Sequence, residues 1–531
     1  MKIKRWLALG LTLLLFVGCQ KTPVVIDPFE NRLTVDELRS ELSDVRATTF
    51  YDDVSVVYQI FPIAFADANR DNHGDLQGII SKLDYLSNDL GVDAIWMTPI
   101  HPSGTYHKYD VKDYKGIDPK FGTLEDFKEL ISEAHQRGIK IILDMVFNHT
   151  AYDHPWFQRA IRKEEPYVNY YHLYDKLDPE LFPNRNGWHN ASGMFYYGGF
   201  WDRMPELDLD QQVVRDEIFD IMDFWIDLGV DGFRFDAAKH AYDPNELPKG
   251  TPLLDRNLQF WMELRKYVSD HHPETYLVSE IWDTAQNMSP YAHAYDSMFN
   301  FDFGLMVIDA LNSGYHNQLI TKHLSNVNRI SSRNENFIDA PFLTNHDQNR
   351  IMTMLGNDIN KAKLAASLLL TMPGIPFIYY GEELGMLGAK PDERIREPMR
   401  WNEDLSSEVA YWSQWQYNWE TPTVEVQLQD ETSLLQHYIQ LIELRKSNPT
   451  LRFGEMEQLQ FKNSSILAYE RTDAQNRYLV VLNLYPGRLE GSFDEEVLAN
   501  MDVLYQVGDY EIDRDKIYMS SQSMFVAKVQ P

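Results

Sequence analysis

Four short apolar segments of the sequence each end in an acidic side chain, namely Asp144, Asp236, Glu280 and Asp347. A carboxylic acid that donates a proton, with a carboxylate on the other side of the bond, is what cleavage of a glycosidic bond requires. The acid must stay protonated while the carboxylate is ionised, so their surroundings must separate their pKa values. Arg234, two residues before Asp236 on the same strand face, is placed to keep that aspartate charged. A set of structural salt bridges is the alternative interpretation.

The elements that carry these side chains must bring them together. From about residue 54 onward, short apolar runs that predict buried strands alternate with amphipathic helical patterns. The predicted strands are Val54 to Phe61, Ala94 to Met97, Ile139 to Asp144, Gly232 to Ala237, Thr275 to Glu280, Ser297 to Phe301, Ile338 to Leu343 and Pro376 to Tyr380. Eight strands that alternate with helices suit a closed (β/α)8 barrel, in which catalytic residues lie at the C-terminal ends of the strands. The acidic strand ends are therefore expected at one rim.

Two departures from this alternation predict further domains. Roughly ninety residues separate the third and fourth strands, which is too long for an ordinary crossover and predicts an inserted subdomain. After a helical pattern over Thr432 to Ser447, strand patterns follow without helices and predict an antiparallel β domain. We therefore expect an α/β fold, a (β/α)8 barrel with an inserted subdomain after strand 3 and a C-terminal antiparallel β domain. The expected ranges are 51–148 and 210–449 for the barrel, 149–209 for the insert and 450–531 for the β domain.

The N-terminus has the pattern of a secretory signal. Lys2, Lys4 and Arg5 precede an apolar run too short to span a bilayer, which ends at Cys19. Residues 16–19 resemble the lipobox of bacterial lipoproteins, whose cysteine is lipidated, although Phe16 stands where leucine is usual. The prediction is a lipoprotein signal peptide over 1–19, a tether over 20–50 and an extracytoplasmic protein anchored to the cell membrane through Cys19. An ordinary signal peptide with an incidental cysteine is the alternative.

Charge and cysteine content limit the partners. The formal net charge is −31, which repels phosphate backbones, so we expect no nucleic-acid partner and a neutral substrate or cations instead. The single cysteine excludes an intrachain disulfide and a cysteine-based metal site. A monomer is expected.

The segments 143–149, 232–240, 279–283 and 342–347 resemble, in order and spacing, the four sequence regions of the α-amylase family of glycoside hydrolases. The resemblance covers residues 50 to 450. It implies a retaining mechanism in which Asp236 is the nucleophile, Glu280 the general acid/base and Asp347 the residue that orients and stabilises the distorted sugar. The substrate-binding residues that it implies are Tyr109, His149, Arg234, Lys239, His240 and His346.

The same segments bear on the bond that is cleaved. Ala237 after the implied nucleophile looks like members active on α-1,4 bonds, and residues 204–208 are similar to the branch between neopullulanases and oligo-1,6-glucosidases. Glu206 stands there in place of the commoner aspartate, which leaves specificity open. The prediction is an α-amylase that acts on starch-derived glucans or maltooligosaccharides. The alternatives are a 4-α-glucanotransferase with the same catalytic residues, an enzyme that isomerises or splits a disaccharide and, from another class, a non-catalytic glycan-binding lipoprotein.

A structural Ca²⁺ ion is expected in the loop after the first strand. Candidate ligands recur at every second position there, at Asp67, Asn69, Asp71, His73 and Asp75. With Gly74 relieving the turn, this pattern suits a hard cation and resembles the calcium loop of the oligo-1,6-glucosidase branch, whereas an Asx-rich turn is the alternative. A second site between barrel and insert would use Asn148, Glu206 and the carbonyl of His240. Both sites would be structural, because retaining glycosidase chemistry needs no metal.

Overall fold

The computed structural model describes residues 32–45, 49–404, 408–461 and 463–530. The predicted signal peptide and Cys19 lie outside these residues. Within them, no helix combines the length and the apolar character that crossing a bilayer requires.

Eight parallel strands form the predicted barrel. They are β1 (Val57–Ile60), β2 (Ala94–Met97), β3 (Lys140–Met145), β4 (Gly232–Phe235), β5 (Tyr276–Ser279), β6 (Ser297–Asn300), β7 (Ile338–Pro341) and β8 (Phe377–Tyr379). Neighbouring strands pair in the order β7-β6-β5-β4-β3-β2-β1-β8. A parallel bridge between Phe342, directly after β7, and Phe377 in β8 brings the two ends of the sheet together. The predicted fold class is confirmed.

The barrel strands are short, and both of their faces are covered. Every residue of β2, β4, β5, β6 and β7 is buried, as expected for a parallel sheet inside a ring of helices. Large side chains such as Trp96, Phe299 and Phe377 fill the interior, and the rings of Trp96 and Phe299 lie 5.0 Å apart. The barrel is therefore a packed core that supports the site from below.

Helices connect the strands on the outside. The main ones are Leu76–Ser81, Leu124–Gln136, Gln212–Asp227, Leu253–His271, Phe301–Ser313, Leu319–Ser331, Ile359–Thr371 and Leu434–Ser447. The helix Leu124–Gln136 begins with a capping box formed by Thr123 and Asp126, which satisfies backbone N–H groups at its start.

The described residues of the predicted tether belong to the folded body. The helix Val35–Leu42 buries Leu38 and Leu42 against Leu253–His271. A second short helix, Thr49–Asp53, places the ring of Phe50 on that of Tyr276 at 4.2 Å.

The segment between β3 and β4 forms a small subdomain with its own core. It contains the helix Pro155–Ala160 and an antiparallel sheet of Leu173–Tyr174, Met194–Tyr197 and Trp188–Ala191. Leu177, Phe182, Trp188 and Tyr197 pack together beneath the sheet.

Two antiparallel sheets follow the barrel. The first pairs Glu455–Leu459, Ile466–Thr472, Arg477–Asn483, Met524–Val529 and Met501–Val507, and the second pairs Leu489–Ser492, Lys516–Met519 and Tyr510–Asp513. Two buried arginines tie them to the barrel, because Arg445 and Arg471 both donate to the carbonyl of Leu451, at 3.2 and 2.6 Å. Arg445 also donates to Leu370 O at 3.1 Å, at the C-terminal end of the helix Ile359–Thr371.

Candidate active site

Asp236 and Glu280 directly follow β4 and β5 at the C-terminal rim of the barrel. The backbone N–H of Asp236 donates to Met145 O, and that of Glu280 donates to Phe235 O, both at 3.0 Å. Since strand pairing continues one residue beyond each strand, the two carboxyl groups are held on adjacent strands at one level. Ala237 then turns the chain away with a left-handed backbone, at φ 45°.

Arg234 lies among three carboxyl groups. Its Nη1 is 2.7 Å from Asp236 Oδ1 and 2.7 Å from Asp144 Oδ1, and its Nη2 is 2.7 Å from Glu280 Oε2. The guanidinium is fully buried and lies 5.2 Å above the ring of Trp96. Burial disfavours its charge, but Asp144 and Glu280 outweigh this and raise the pKa of Arg234, so it stays charged. One fixed cation therefore sets the relative position of Asp236 and Glu280.

Tyr109 and His346 link this cluster to the third acid. The hydroxyl of Tyr109 lies 3.1 Å from Asp144 Oδ2 and 2.7 Å from His346 Nε2, and the two rings are parallel, with centroids 5.7 Å apart. The amide of Gln59 donates to His346 Nδ1 at 2.7 Å. The proton of the neutral imidazole then lies on Nε2, while Tyr109 donates to Asp144. Burial lowers the pKa of His346 to about 3, which keeps the ring neutral.

Asp347 is presented at the same rim, six residues beyond β7. Its Oδ2 is 3.2 Å from His346 Nε2, and its Oδ1 is 2.8 Å from Nη2 of Arg396. Its side chain is 33% exposed, compared with 13% for Glu280 and 14% for Asp236. Asp347 is thus fixed on both oxygens but open to the site.

The surroundings give the three acids different proton affinities. Burial raises the pKa of Glu280 to about 8; Arg234 opposes this rise, whereas the nearby charges of Asp236 and Asp347 add to it. Burial also raises the pKa of Asp236, against the attraction of Arg234. For Asp347, the contact with His346 and the charges of Arg396 and Arg234 outweigh burial, and its pKa lies below the usual value. Glu280 is therefore protonated near neutral pH while Asp347 is ionised.

The other predicted substrate contacts lie on the side of the insert. His149 Nδ1 lies 2.8 Å from Asn148 Oδ1, and its Nε2 lies 3.1 Å from the carbonyl oxygen of Tyr109; the neutral ring donates to one of the two. The ring of Phe200, from the insert, lies 5.6 Å from that of His149 and 5.7 Å from that of His240. The Nζ atom of Lys239 is 2.5 Å from Asp283 Oδ2.

Two exposed aromatic rings stand near these residues. Phe200 is 52% exposed and Trp282, two residues after Glu280, is 54% exposed. The indole of Trp282 stacks on Phe301 at 4.5 Å. Exposed aromatic faces beside an acidic cluster suit the apolar faces of sugar rings.

The loop Asp67–Asp75 is held by its own polar side chains. Asp67 Oδ1 accepts from Arg70 N at 2.6 Å, and Asn69 Oδ1 accepts from Asp71 N at 2.9 Å, so the loop is built on Asx turns. Burial, together with the like charge of Asp67, raises the pKa of Asp75. Two buried carboxyl groups with spare lone pairs fit a hard cation, which would relieve their repulsion.

The second predicted set also lies together. The amide nitrogen of Asn148 donates to the carbonyl of His240 and is 3.4 Å from Glu206 Oε2. A cation there would need the amide oxygen of Asn148, which instead contacts His149. Within the described ranges, no group of three or more His, Cys, Asp or Glu side chains has the arrangement of a metal site.

The chain is similar in sequence and in structure to known proteins. Residues 59–454 match the family model "Alpha amylase, catalytic domain". Alpha-amylase 3 from Dictyoglomus thermophilum is 39% identical over 480 residues, which cover 90% of this chain and 93% of that protein. A 4-alpha-glucanotransferase from Thermotoga maritima is 32% identical over 80% of this chain and 95% of its own length. The crystal structure of an alpha-amylase from H. orenii superposes with a TM-score of 0.82 at 37% identity, covering 90% of this chain and all of that one. The chain belongs to the alpha-amylase family of glycoside hydrolases.

Asp144 was predicted at the rim with the other acidic strand ends, but no role was predicted for it, and the structure places it on Arg234. Two further residues of the site were not predicted. Arg396 and Phe200 lie outside the strand ends, in loops whose course the local sequence does not show. They enter the site only through the tertiary fold.

Proposed function

We propose that this protein is a retaining, α-amylase-type enzyme that cleaves α-1,4-glucosidic bonds of starch-derived glucans or maltooligosaccharides. The observation that carries the proposal is the contact of Asp236 and Glu280 with the two terminal nitrogens of Arg234, beside Asp347. The name of the relative from Dictyoglomus, an alpha-amylase, supports the choice of substrate.

The roles follow from the environments. Glu280, which holds its proton near neutral pH, would protonate the oxygen of the leaving sugar, while the carboxylate of Asp236 forms a bond to the anomeric carbon. Glu280, now ionised, would take a proton from water, whose oxygen displaces Asp236 and releases the second product. Asp347 would bind the hydroxyls of the distorted sugar.

The remaining predicted residues surround that sugar in this proposal. Tyr109 would stack on it, and His346 and His149 would contact its hydroxyls. Lys239 and His240 would contact units beyond the cleavage point, and Arg234 would orient the catalytic pair.

A product time course on maltoheptaose tests the proposal, with the Asp236→Asn variant as the control. Shorter products only, abolished in the variant, are expected. No turnover of maltoheptaose, maltose, sucrose or pullulan by the wild type would contradict it and favour a glycan-binding lipoprotein.

A second candidate, a 4-α-glucanotransferase, uses the same residues with a sugar hydroxyl in place of water. The similarity to the Thermotoga glucanotransferase favours it, and so do the exposed rings of Phe200 and Trp282, which could hold an acceptor sugar. Products longer than maltoheptaose would identify it.

Two further features complete the proposal. A structural Ca²⁺ ion would be held by Asp67, Asn69, Asp71, His73 and Asp75, and a second one by Asn148, Glu206 and the His240 carbonyl. The protein would be a monomer, anchored outside the cytoplasm through a lipidated Cys19.

A further inference from the structure

Arg396 is a buried arginine that contacts Asp347 of the catalytic cluster, and it lies outside the four segments that carry the sequence resemblance. It is 3% exposed and lies in the segment after β8. Its Nη2 is 2.8 Å from Asp347 Oδ1, and its Nε donates to the carbonyl of His346 at 2.8 Å. One guanidinium thus donates hydrogen bonds both to the side chain of Asp347 and to the backbone carbonyl of the preceding residue.

Arg396 has two further hydrogen-bond partners. Nη1 donates to the hydroxyl of Tyr106 at 3.1 Å, and Nη2 is 3.2 Å from Asp392 Oδ2. The guanidinium lies 5.1 Å from the ring of Phe61, and Tyr106 stacks on Trp412 at 4.8 Å. A planar fork with this many partners has one orientation, which a lysine could not reproduce.

The backbone around Arg396 is anchored without its side chain. The carbonyl of Ile395 accepts from Arg350 at 2.9 Å, and the carboxylate of Glu397 accepts from the N–H groups of residues 416–418. Trp412 Nε1 donates to the carbonyl of Arg396 at 3.1 Å. The side chain can therefore be replaced while the segment keeps its course.

We infer that Arg396 is a positioning residue for the glycosidase reaction, because it fixes the carboxyl group of Asp347 in its ionised form and in the orientation that meets the sugar. The inference rests on the proposed function. Asp347 is the most exposed of the three acids, and its contact with Arg396, together with that of its other oxygen to His346, would hold its carboxyl group in place.

The charged and titratable groups that act on Asp347 come from several elements. They are Arg234 on β4, Tyr379 on β8, Arg396 and Lys390 after β8, His107 and Tyr109 after β2, the acids Asp236 and Glu280, and His346, which directly precedes Asp347. Loss of Arg396 removes a direct cation, so the pKa of Asp347 rises. A group that must be ionised is then protonated at a higher pH, and the acidic limb of the pH profile moves upward.

The test compares Arg396→Met, Arg396→Lys and Arg400→Met with the wild type on maltoheptaose. Arg400 is a matched control, since it is also buried, stacks on Trp415 at 4.6 Å and donates to Thr421 O at 3.2 Å, away from the site.

For Arg396→Met we expect kcat to fall by about 100-fold or more with a small change in KM, and the acidic limb to move to higher pH. Arg396→Lys keeps the positive charge but not the planar guanidinium. Its acidic limb should therefore lie near the wild-type pH, while its kcat should stay low. Arg400→Met should leave the limb and the kcat of the folded fraction unchanged.

Two outcomes would overturn the inference. One is an Arg396→Met enzyme that loses stability but keeps the wild-type kcat and acidic limb, and the other is an equal effect of Arg400→Met. If the wild type cleaves no glucan, the proposed function fails, and crystal structures of wild type and Arg396→Met decide the inference. A turned or split carboxyl group of Asp347 would support it, and an unmoved one would refute it.

Discussion

At the level of single residues, catalysis depends on a proton that Glu280 must hold while its neighbours stay charged. Burial raises the pKa of Glu280 to about 8, so the acid is protonated below that value and loses its proton as the pH rises through it. We therefore expect kcat/KM on maltoheptaose to fall on the alkaline side near pH 8. A profile that stays flat to pH 10 would exclude Glu280 as the acid.

The Glu280→Gln variant separates the two steps of this chemistry. It should lose most of its activity on maltoheptaose, by about 10²–10⁴-fold, because the leaving sugar needs a proton. An aryl maltoside with a good leaving group depends less on protonation of the leaving oxygen. The variant should therefore form the glycosyl-enzyme from this substrate with a smaller loss of rate, and the glycosyl-enzyme should accumulate. Mass spectrometry of the quenched enzyme would detect the adduct on Asp236; equal losses on both substrates would contradict the assignment.

The exposed ring of Trp282 is expected to contribute binding beyond the cleavage point. Trp282→Ala removes an indole that is 54% exposed and stacked on Phe301. A stacking contact contributes about 0.5–1.5 kcal/mol, so KM for maltoheptaose should rise about twofold to thirteenfold. Trp419→Ala, which removes an indole that is 55% exposed, is the control and should leave KM unchanged. An equal effect of both variants would show that Trp282 has no special role.

At the level of elements, the helix Phe301–Ser313 depends on a glycine at its closest contact with the site-bearing strand. A Cβ atom at Gly304 would lie 2.3 Å from the carbonyl of Leu343, four residues before Asp347. Alanine favours a helix by about 1 kcal/mol over glycine, but the clash costs about 1–3 kcal/mol or more and shifts the backbone toward Asp347. We expect Gly304→Ala to lower both the melting temperature and kcat, while Leu305→Ala, which truncates an exposed side chain on the same helix, leaves both nearly unchanged. A more stable Gly304→Ala enzyme would refute the close contact.

The calcium loop gives a second prediction at this level. If the loop binds Ca²⁺, chelation should lower the melting temperature of the wild type, and Asp71→Ala should reduce that effect to what the second proposed site contributes. Asp75 is a poor choice for the test, because it also caps the helix Leu76–Ser81. Asp473→Ala, in an Asx turn of the C-terminal domain, is the control and should stay sensitive to chelation. If neither chelator nor Ca²⁺ changes the melting temperature of the wild type, the loop is an Asx-rich turn that binds no cation.

The elements that sequence predicted well are those whose signal is local. The strand Ala94–Met97 has the predicted bounds, since an uninterrupted apolar run determines it. The packing of the helix Val35–Leu42 on the barrel and the contact of Arg396 with Asp347 were not predictable. Both depend on contacts between residues far apart in sequence, 49 residues from Asp347 to Arg396 for example, which no local pattern records.

At the level of the whole molecule, charge and the proposed anchor act in opposite directions. A net charge of −31 repels anionic lipid surfaces, so electrostatic attraction cannot hold this protein at a membrane. If the proposal of a lipidated Cys19 is right, attachment depends on acyl chains alone, and high salt should not release the protein.

We expect the full-length wild type made in a bacterial host to enter the detergent phase on Triton X-114 separation, and Cys19→Ser to stay in the aqueous phase with unchanged kcat on maltoheptaose. Lys21→Ser, next to the same site, should partition like the wild type. A wild-type protein found only in the aqueous phase and without acyl chains by mass spectrometry would show that the N-terminus is an ordinary signal peptide and that the enzyme acts free in solution.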